Sequence, residues 1–207
     1  LQTHAVSARS ARWYYALLET VFLLILASLL ASNLGALWIG LEATTLANAF
    51  LVGFYRTETS IEATWKYLMV GSVGIALALL GSFFLGYASL VGTGHTSLDL
   101  RSLAAEAPQF SRPWLRAAFV VLLVGYGTKM GLAPLHTWKP DAYGEAPVIV
   151  GSLLAGSVTS GAFLALLRVH RIVDAGGEGP FARGLMVALG LFSMGWAAVF
   201  MVRQPDF

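Results

Sequence analysis

Apolar residues run along this chain in long blocks separated by short polar interruptions. Residues 13–33, 37–55, 67–90, 115–135, 148–169 and 184–202 are each almost wholly apolar. Each block approaches the roughly 20 residues that a helix needs to cross a hydrocarbon layer about 30 Å thick. Ser32, Asn33 and Gly35 mark a tight antiparallel turn between the first two blocks, and 56–61 is a short polar link. The longest polar stretch is 92–113, where Asp99-Leu-Arg-Ser-Leu predicts a short surface helix, and 136–147 and 170–180 read as loops. The pattern predicts an all-α, multi-pass membrane protein of about six transmembrane helices, a single transmembrane domain over residues 1–207. Both ends read as cut: 1–10 is polar without an initiator Met, and the chain stops straight after a span, so a piece of a longer polypeptide is expected.

Composition agrees. Of 207 residues, 57% are apolar and 12% charged, against about 25% charged in ordinary globular domains. This excludes a disordered chain, a collagen and a soluble enzyme with a polar shell. The chain has no cysteine, which removes disulfide scaffolds, thiolate metal sites and iron–sulfur ligation. A net charge of +2 gives no indication of a nucleic-acid partner. Apart from Lys129, which lies within a predicted span, the 13 Lys and Arg divide six against six between the two sides of the predicted topology, with Arg9, Arg12, Arg56, Lys66, Lys139 and Arg203 on the side of Leu1. The positive-inside rule therefore gives no orientation.

Two charges lie where the membrane interior is expected. Glu42 sits about a third of the way into the second block, and Lys129 well inside the fourth. A charge at bilayer depth costs about 2.5–3.5 kcal/mol on insertion scales, so such groups pair or face a watery cavity and mark function by default. One acid and one base on different spans predict an intramembrane ion pair. Alternating contact and separation would switch the base between holding and releasing a proton. The alternative is a fixed strut between helices.

Gly125, Gly127, Gly131 and Pro134 surround the lysine and predict a broken helix, a transporter-like feature. The competing reading is that the glycines only permit close packing. Lys66 opens the third block and is a candidate relay towards Glu42, or a snorkelling interfacial lysine. His136, whose imidazole can both donate and accept, could connect the site to water, or cap a helix. Glu19 lies two turns into the first block as a buried or interfacial acid, while Asp141 and Glu145 read as loop acids. No phosphate cradle, zinc pair or nucleophile elbow is present.

Three blocks carry a family resemblance: Leu37-Trp-Ile-Gly-Leu-Glu-Ala-Thr-Thr-Leu, Gly127-Thr-Lys-Met-Gly-Leu-Ala-Pro-Leu-His-Thr-Trp-Lys-Pro-Asp-Ala, and Glu145-Ala-Pro leading into Ser152-Leu-Leu-Ala-Gly. Their order and spacing resemble the antiporter-like subunits shared by respiratory complex I, membrane-bound hydrogenases and Mrp-type multisubunit cation/proton antiporters. Trp65-Lys-Tyr and Ser72-Val-Gly-Ile-Ala-Leu-Ala-Leu-Leu-Gly look most like the F subunit of formate-hydrogenlyase-type hydrogenases.

The resemblance implies the first inverted five-helix repeat over residues 12–170 and the opening helix of a second repeat over 181–207, with Leu1 on the cytoplasmic side of the inner cell membrane. It matches Glu42 to the family's glutamate, Lys129 to its broken-helix lysine and Lys66 to a relay lysine. It implies proton translocation within a redox-driven complex, with other membrane subunits as partners and no cofactor on this chain. A sodium/proton antiporter subunit and a membrane scaffold are the alternatives. Two positions depart from the family pattern. Ser160 stands where many members have a Lys or His, so a lateral proton path there needs water. Lys139 precedes Pro140 where an apolar residue is usual.

Overall fold

The computed structural model describes residues 8–202 and is almost entirely helical. The expectations for Leu1 and Arg203 fall outside the described residues. Helices α1 (Ala8–Leu30) and α2 (Leu34–Val52) form an antiparallel hairpin, with Asn33 capping α2 by accepting from Gly35 N–H (2.8 Å) and Ala36 N–H. Helix α3 spans Glu58–Thr93, a length of about 54 Å, so it extends past the hydrocarbon layer. Thr57 caps its start, and Gly94 ends it in the left-handed conformation (φ 81°) that favours glycine. After α4 (Leu100–Glu106) and a short 3₁₀ turn come α5 (Arg112–Met130) and α6 (Trp138–Glu145). The last limb runs through α7 (Val148–Leu153), a π turn, α8 (Thr159–Val173), a second π turn and α9 (Gly179–Val202).

Each of the six apolar blocks coincides with a helix. Two expected loops do not survive intact. The stretch 136–147 contains α6, because Pro140 is its third residue, where no intrahelical N–H is required. The stretch 170–180 stays helical to Val173 and bends only at Gly177, whose φ of 80° ends the regular helix. The surface helix expected at Asp99 is α4, with Asp99 as its cap.

Close packing of α3 on α5 forms the centre of the bundle. A Cβ on Gly125 would lie 2.6 Å from Ala78 N, and one on Gly81 would lie 2.6 Å from Leu122 Cγ. Gly125 is therefore a packing residue, as the competing reading of these glycines had it. Arg168 of α8 reaches the C-terminal end of α1, donating from Nη1 to Ala31 O (2.6 Å) and from Nη2 to Leu29 O. These carbonyls lack intrahelical partners, and the guanidinium supplies them.

The bundle has two distinct ends. At one, Leu34 N–H bonds Leu98 O and Leu100 N–H bonds Ser32 O (2.8 Å each), tying the α1–α2 turn to the start of α4. The α8–α9 junction lies at the same end, where Arg116 and Glu178 pair at 2.6 Å. At the other end, Lys66 pairs with Asp141 (2.7 Å) and Thr59 donates to Glu145 (2.8 Å), holding α3 against α6. Around the outside, Phe22, Leu23, Phe50, Met69, Val73 and Phe83 are 52–71% exposed. Four stretches (Ala11–Leu30, Leu34–Val52, Glu58–Thr93 and the bent Val148–Val202) are long and apolar enough to cross a membrane. Such a continuous apolar exterior suits lipid rather than water. The molecule is an all-α, multi-pass membrane protein.

Candidate ion-translocation site

Two apolar clusters fill the interior, and α2 contributes Leu41 to one and Ala49 to the other. Between those positions Thr44, Thr45 and Asn48 are buried, and Thr128 and Lys129 are buried on α5. This polar seam is the candidate site.

Lys129 lies in the last turn of α5 and is 3% exposed. Its position favours a cation, because helix C-termini carry partial negative charge. The helix stops immediately after it in a Schellman arrangement: Gly131 (φ 77°) donates to Thr128 O at 3.1 Å, and Leu132 donates to Gly127 O at 2.9 Å. Trp138 Nε1 also donates to Thr128 O (3.0 Å), stacking α6 against the break. The broken helix expected at this lysine is therefore present, with Gly131 as the residue that turns the chain. Lys139 solves its own departure from the apolar pattern. Its methylenes occupy the space that a Cβ on Gly131 would need, while its ammonium lies 5.7 Å from the centre of the Tyr143 ring.

The Lys129 ammonium donates to Leu41 O (3.0 Å) and to Thr45 Oγ1. Glu42 is on the same turn of α2, half-buried, with Oε2 buried and without a protein partner. The expected direct Glu42–Lys129 ion pair is not formed, since among the described residues no salt bridge joins them. The physical reason is local: a backbone carbonyl and a hydroxyl already accept from the ammonium beside the carboxylate. Acid and base are brought to one turn of helix without touching.

The other candidates lie further out. Lys66 is 47% exposed at the side chain and paired with both Glu62 and Asp141 at 2.7 Å. This is a surface triad, and the structure does not bring it to Glu42. His136 sits in the α5–α6 loop, half-buried, with Nδ1 buried and unpartnered. Ser160 is exposed. Glu19 is exposed at an apolar cavity of about 560 Å³ between α1 and α7, lined also by Phe22, Ile149 and Ser152.

Sequence reasoning missed Thr45, Asn48 and Tyr67. Both side-chain polar atoms of Asn48 and the hydroxyls of Tyr67 and Tyr143 are buried without a protein partner. Buried polar groups of this kind are normally satisfied by water. The signal was available: Leu41, Thr45 and Asn48 recur at i, i+4 and i+7, so they share one helical stripe.

This geometry coincides with a family match. The transmembrane model described as NADH:quinone oxidoreductase/Mrp antiporter covers residues 31–207, and the chain belongs to that family. It is 34% identical to a hydrogenase-4 component F homolog of Methylacidiphilum infernorum over 97% of this chain and 43% of that protein. It is 33% identical to NADH-quinone oxidoreductase subunit N of Acidithiobacillus ferrooxidans (90% and 39%), and 35% identical to F(420)H(2) dehydrogenase subunit N of Methanosarcina mazei (92% and 37%). The chain thus spans about two-fifths of the length of these relatives. Among solved structures, respiratory complex I from Thermus thermophilus matches at a TM-score of 0.65 and 32% identity, over 76% of this chain and 34% of that one. An archaeal membrane-bound sulfane sulfur reductase shares the fold, with a TM-score of 0.79 at 21% identity over 91% and 37%.

Proposed function

We propose that this chain carries a proton-translocating half-site of a redox-driven membrane complex, with Lys129 as the proton-carrying group and Glu42 as the acid that biases it. The observation that carries this reading is a lysine 3% exposed at a helix break, its ammonium against the same turn of α2 that carries a carboxylate oxygen with no protein partner. A fixed strut would satisfy both heads with each other. Here one carboxylate oxygen, Oε2, is left without a protein partner and can accept from the base or from water, as a switch between holding and releasing a proton requires.

The unpartnered Asn48, Tyr67 and Tyr143 lie towards the end of the bundle that carries Lys66 and Asp141. They supply a polar route along which water can reach Lys129, and His136 supplies another polar atom near the break. Relatives named as subunits of hydrogenase, NADH-quinone oxidoreductase and F(420)H(2) dehydrogenase support a place among other membrane subunits that perform the redox chemistry. The bend at Gly177 supports the division into five spanning helices over 12–170 and a further helix over 181–207 that opens a second repeat.

Lys129→Met in the full-length protein tests the reading. The expected result is an assembled complex that turns over electrons without acidifying inverted membrane vesicles. Intact pumping per assembled complex, with assembly itself impaired, would show a scaffold instead. Because the family description includes Mrp antiporters, the same assay is run with and without sodium. Proton flux that requires sodium would place the chain with the sodium/proton antiporters.

A further inference from the structure

Helix α9 is bound to the rest of the molecule sparingly. Val187, Leu191, Met194, Val199 and Phe200 are 53–70% exposed along it. Among the described residues one hydrogen bond joins it to the helix break: Ser193 Oγ accepts from the N–H of Ala133 at 2.9 Å. That N–H belongs to the break that follows Lys129.

The donors of the break can be followed in order. Gly131 and Leu132 donate back to α5 in the Schellman arrangement, Pro134 has no N–H, and Leu135 donates to Leu132 O at 2.9 Å. Ala133 is left with no acceptor in its own segment, and at 4% exposure it cannot turn to water. Its partner comes from a different helix. The N–H that ends the lysine turn is thus held by α9, four residues beyond Lys129.

We propose that Ser193 is a positioning residue for Lys129: it ties the helix break to α9, so that the place of α9 sets how far the ammonium reaches towards Leu41 O and Thr45. The inference rests on the reading of Lys129 as the proton-carrying group. Loss of the hydroxyl frees a buried N–H and lets the 131–135 loop move, changing the surroundings of Lys129 while leaving its side chain in place. If α9 opens a second repeat, this hydrogen bond is a route by which that repeat acts on the first.

The test uses the full-length complex in inverted membrane vesicles, with Ser193→Ala, Ser193→Thr and Lys129→Met in parallel. Ser193→Ala is expected to lower proton translocation about tenfold, as the loss of one buried hydrogen bond implies, and to displace its pH profile at unchanged complex content. Ser193→Thr, which retains the acceptor, is expected to restore both. Amide exchange of the segment containing Ala133 is expected to quicken in Ser193→Ala alone, a readout that needs no activity and can be made on whatever fraction folds. If Lys129→Met abolishes pumping while Ser193→Ala keeps the wild-type rate, pH profile and exchange, the positioning role is overturned and the reading of Lys129 stands. If Lys129→Met still pumps, both fall together.

Discussion

The Lys129 ammonium is held by one carbonyl and one hydroxyl, and Thr45 therefore matters as much as the acid beside it. Thr45 Oγ1 also donates to Leu41 O (3.1 Å), so the two acceptors of the base are tied to each other within a single helical turn. Thr45→Val keeps the shape and removes the acceptor. With a charged partner lost, it is expected to destabilise the folded protein by about 1.5–3 kcal/mol, measured by thermal unfolding in detergent, whereas Thr45→Ser stays near wild type. Glu42 and Lys129 were legible in the sequence because a charge inside an apolar block has few explanations. Thr45 and Asn48 were not, because hydroxyl and amide side chains are common in membrane helices, where they often bond their own backbone. Tyr67 reads from sequence as one more aromatic in an apolar span. Only the packing that buries it on α6 leaves its hydroxyl conspicuous.

At the scale of elements, the helices were legible from hydrophobic blocks, as were the turn at Asn33, the break after Lys129 and the cap at Asp99, whereas the helical content of 136–147 and 170–180 was not. Glycine identity alone does not separate a packing position from a break, and the structure gives the criterion. Gly125→Ala forces a Cβ against the α3 backbone and is expected to cost about 1–3 kcal/mol as overpacking. Gly86 faces open space two turns before the end of α3. Gly86→Ala is expected to stabilise by about 0.4–1 kcal/mol through reduced freedom of the unfolded chain. Thermal unfolding of the two variants side by side checks both signs.

The cap of α4 carries a pH dependence outside the membrane. The Asp99 carboxylate accepts from Ser102 N–H (2.9 Å) and Arg101 N–H (3.1 Å), and these bonds, that to Ser102 foremost, hold its carboxyl below the ordinary value. A lowered folded pKa means stability fully present above the unfolded value of about 3.9 and lost as pH falls through the folded one. Asp99→Asn keeps an acceptor at the cap. It is expected to remove that acid-range loss, seen as a flatter dependence of the unfolding temperature on pH.

At the scale of the whole molecule, α9 is fastened at two places: by Ser193 at the break, and at its root by Glu178, a carboxylate 4% exposed between α5 and the α8–α9 bend. Arg116 bonds Glu178 at 2.6 Å and lies over the Phe181 ring at 5.1 Å, while Arg112 stands at 4.0 Å and is 74% exposed. The two arginines are therefore not equivalent. A buried acid that loses a close partner is left uncompensated, whereas an exposed arginine at the limit of contact contributes little. Glu178→Gln is expected to quicken amide exchange across 174–182 without changing exchange at the Lys129 break, because Ser193 still holds Ala133. Arg112→Gln should leave both regions as they are. If Glu178→Gln loosened the break as well, the root and the middle of α9 would act as one lever. In that case the position of Lys129 would be set from the far end of the bundle rather than by the single hydroxyl beside it.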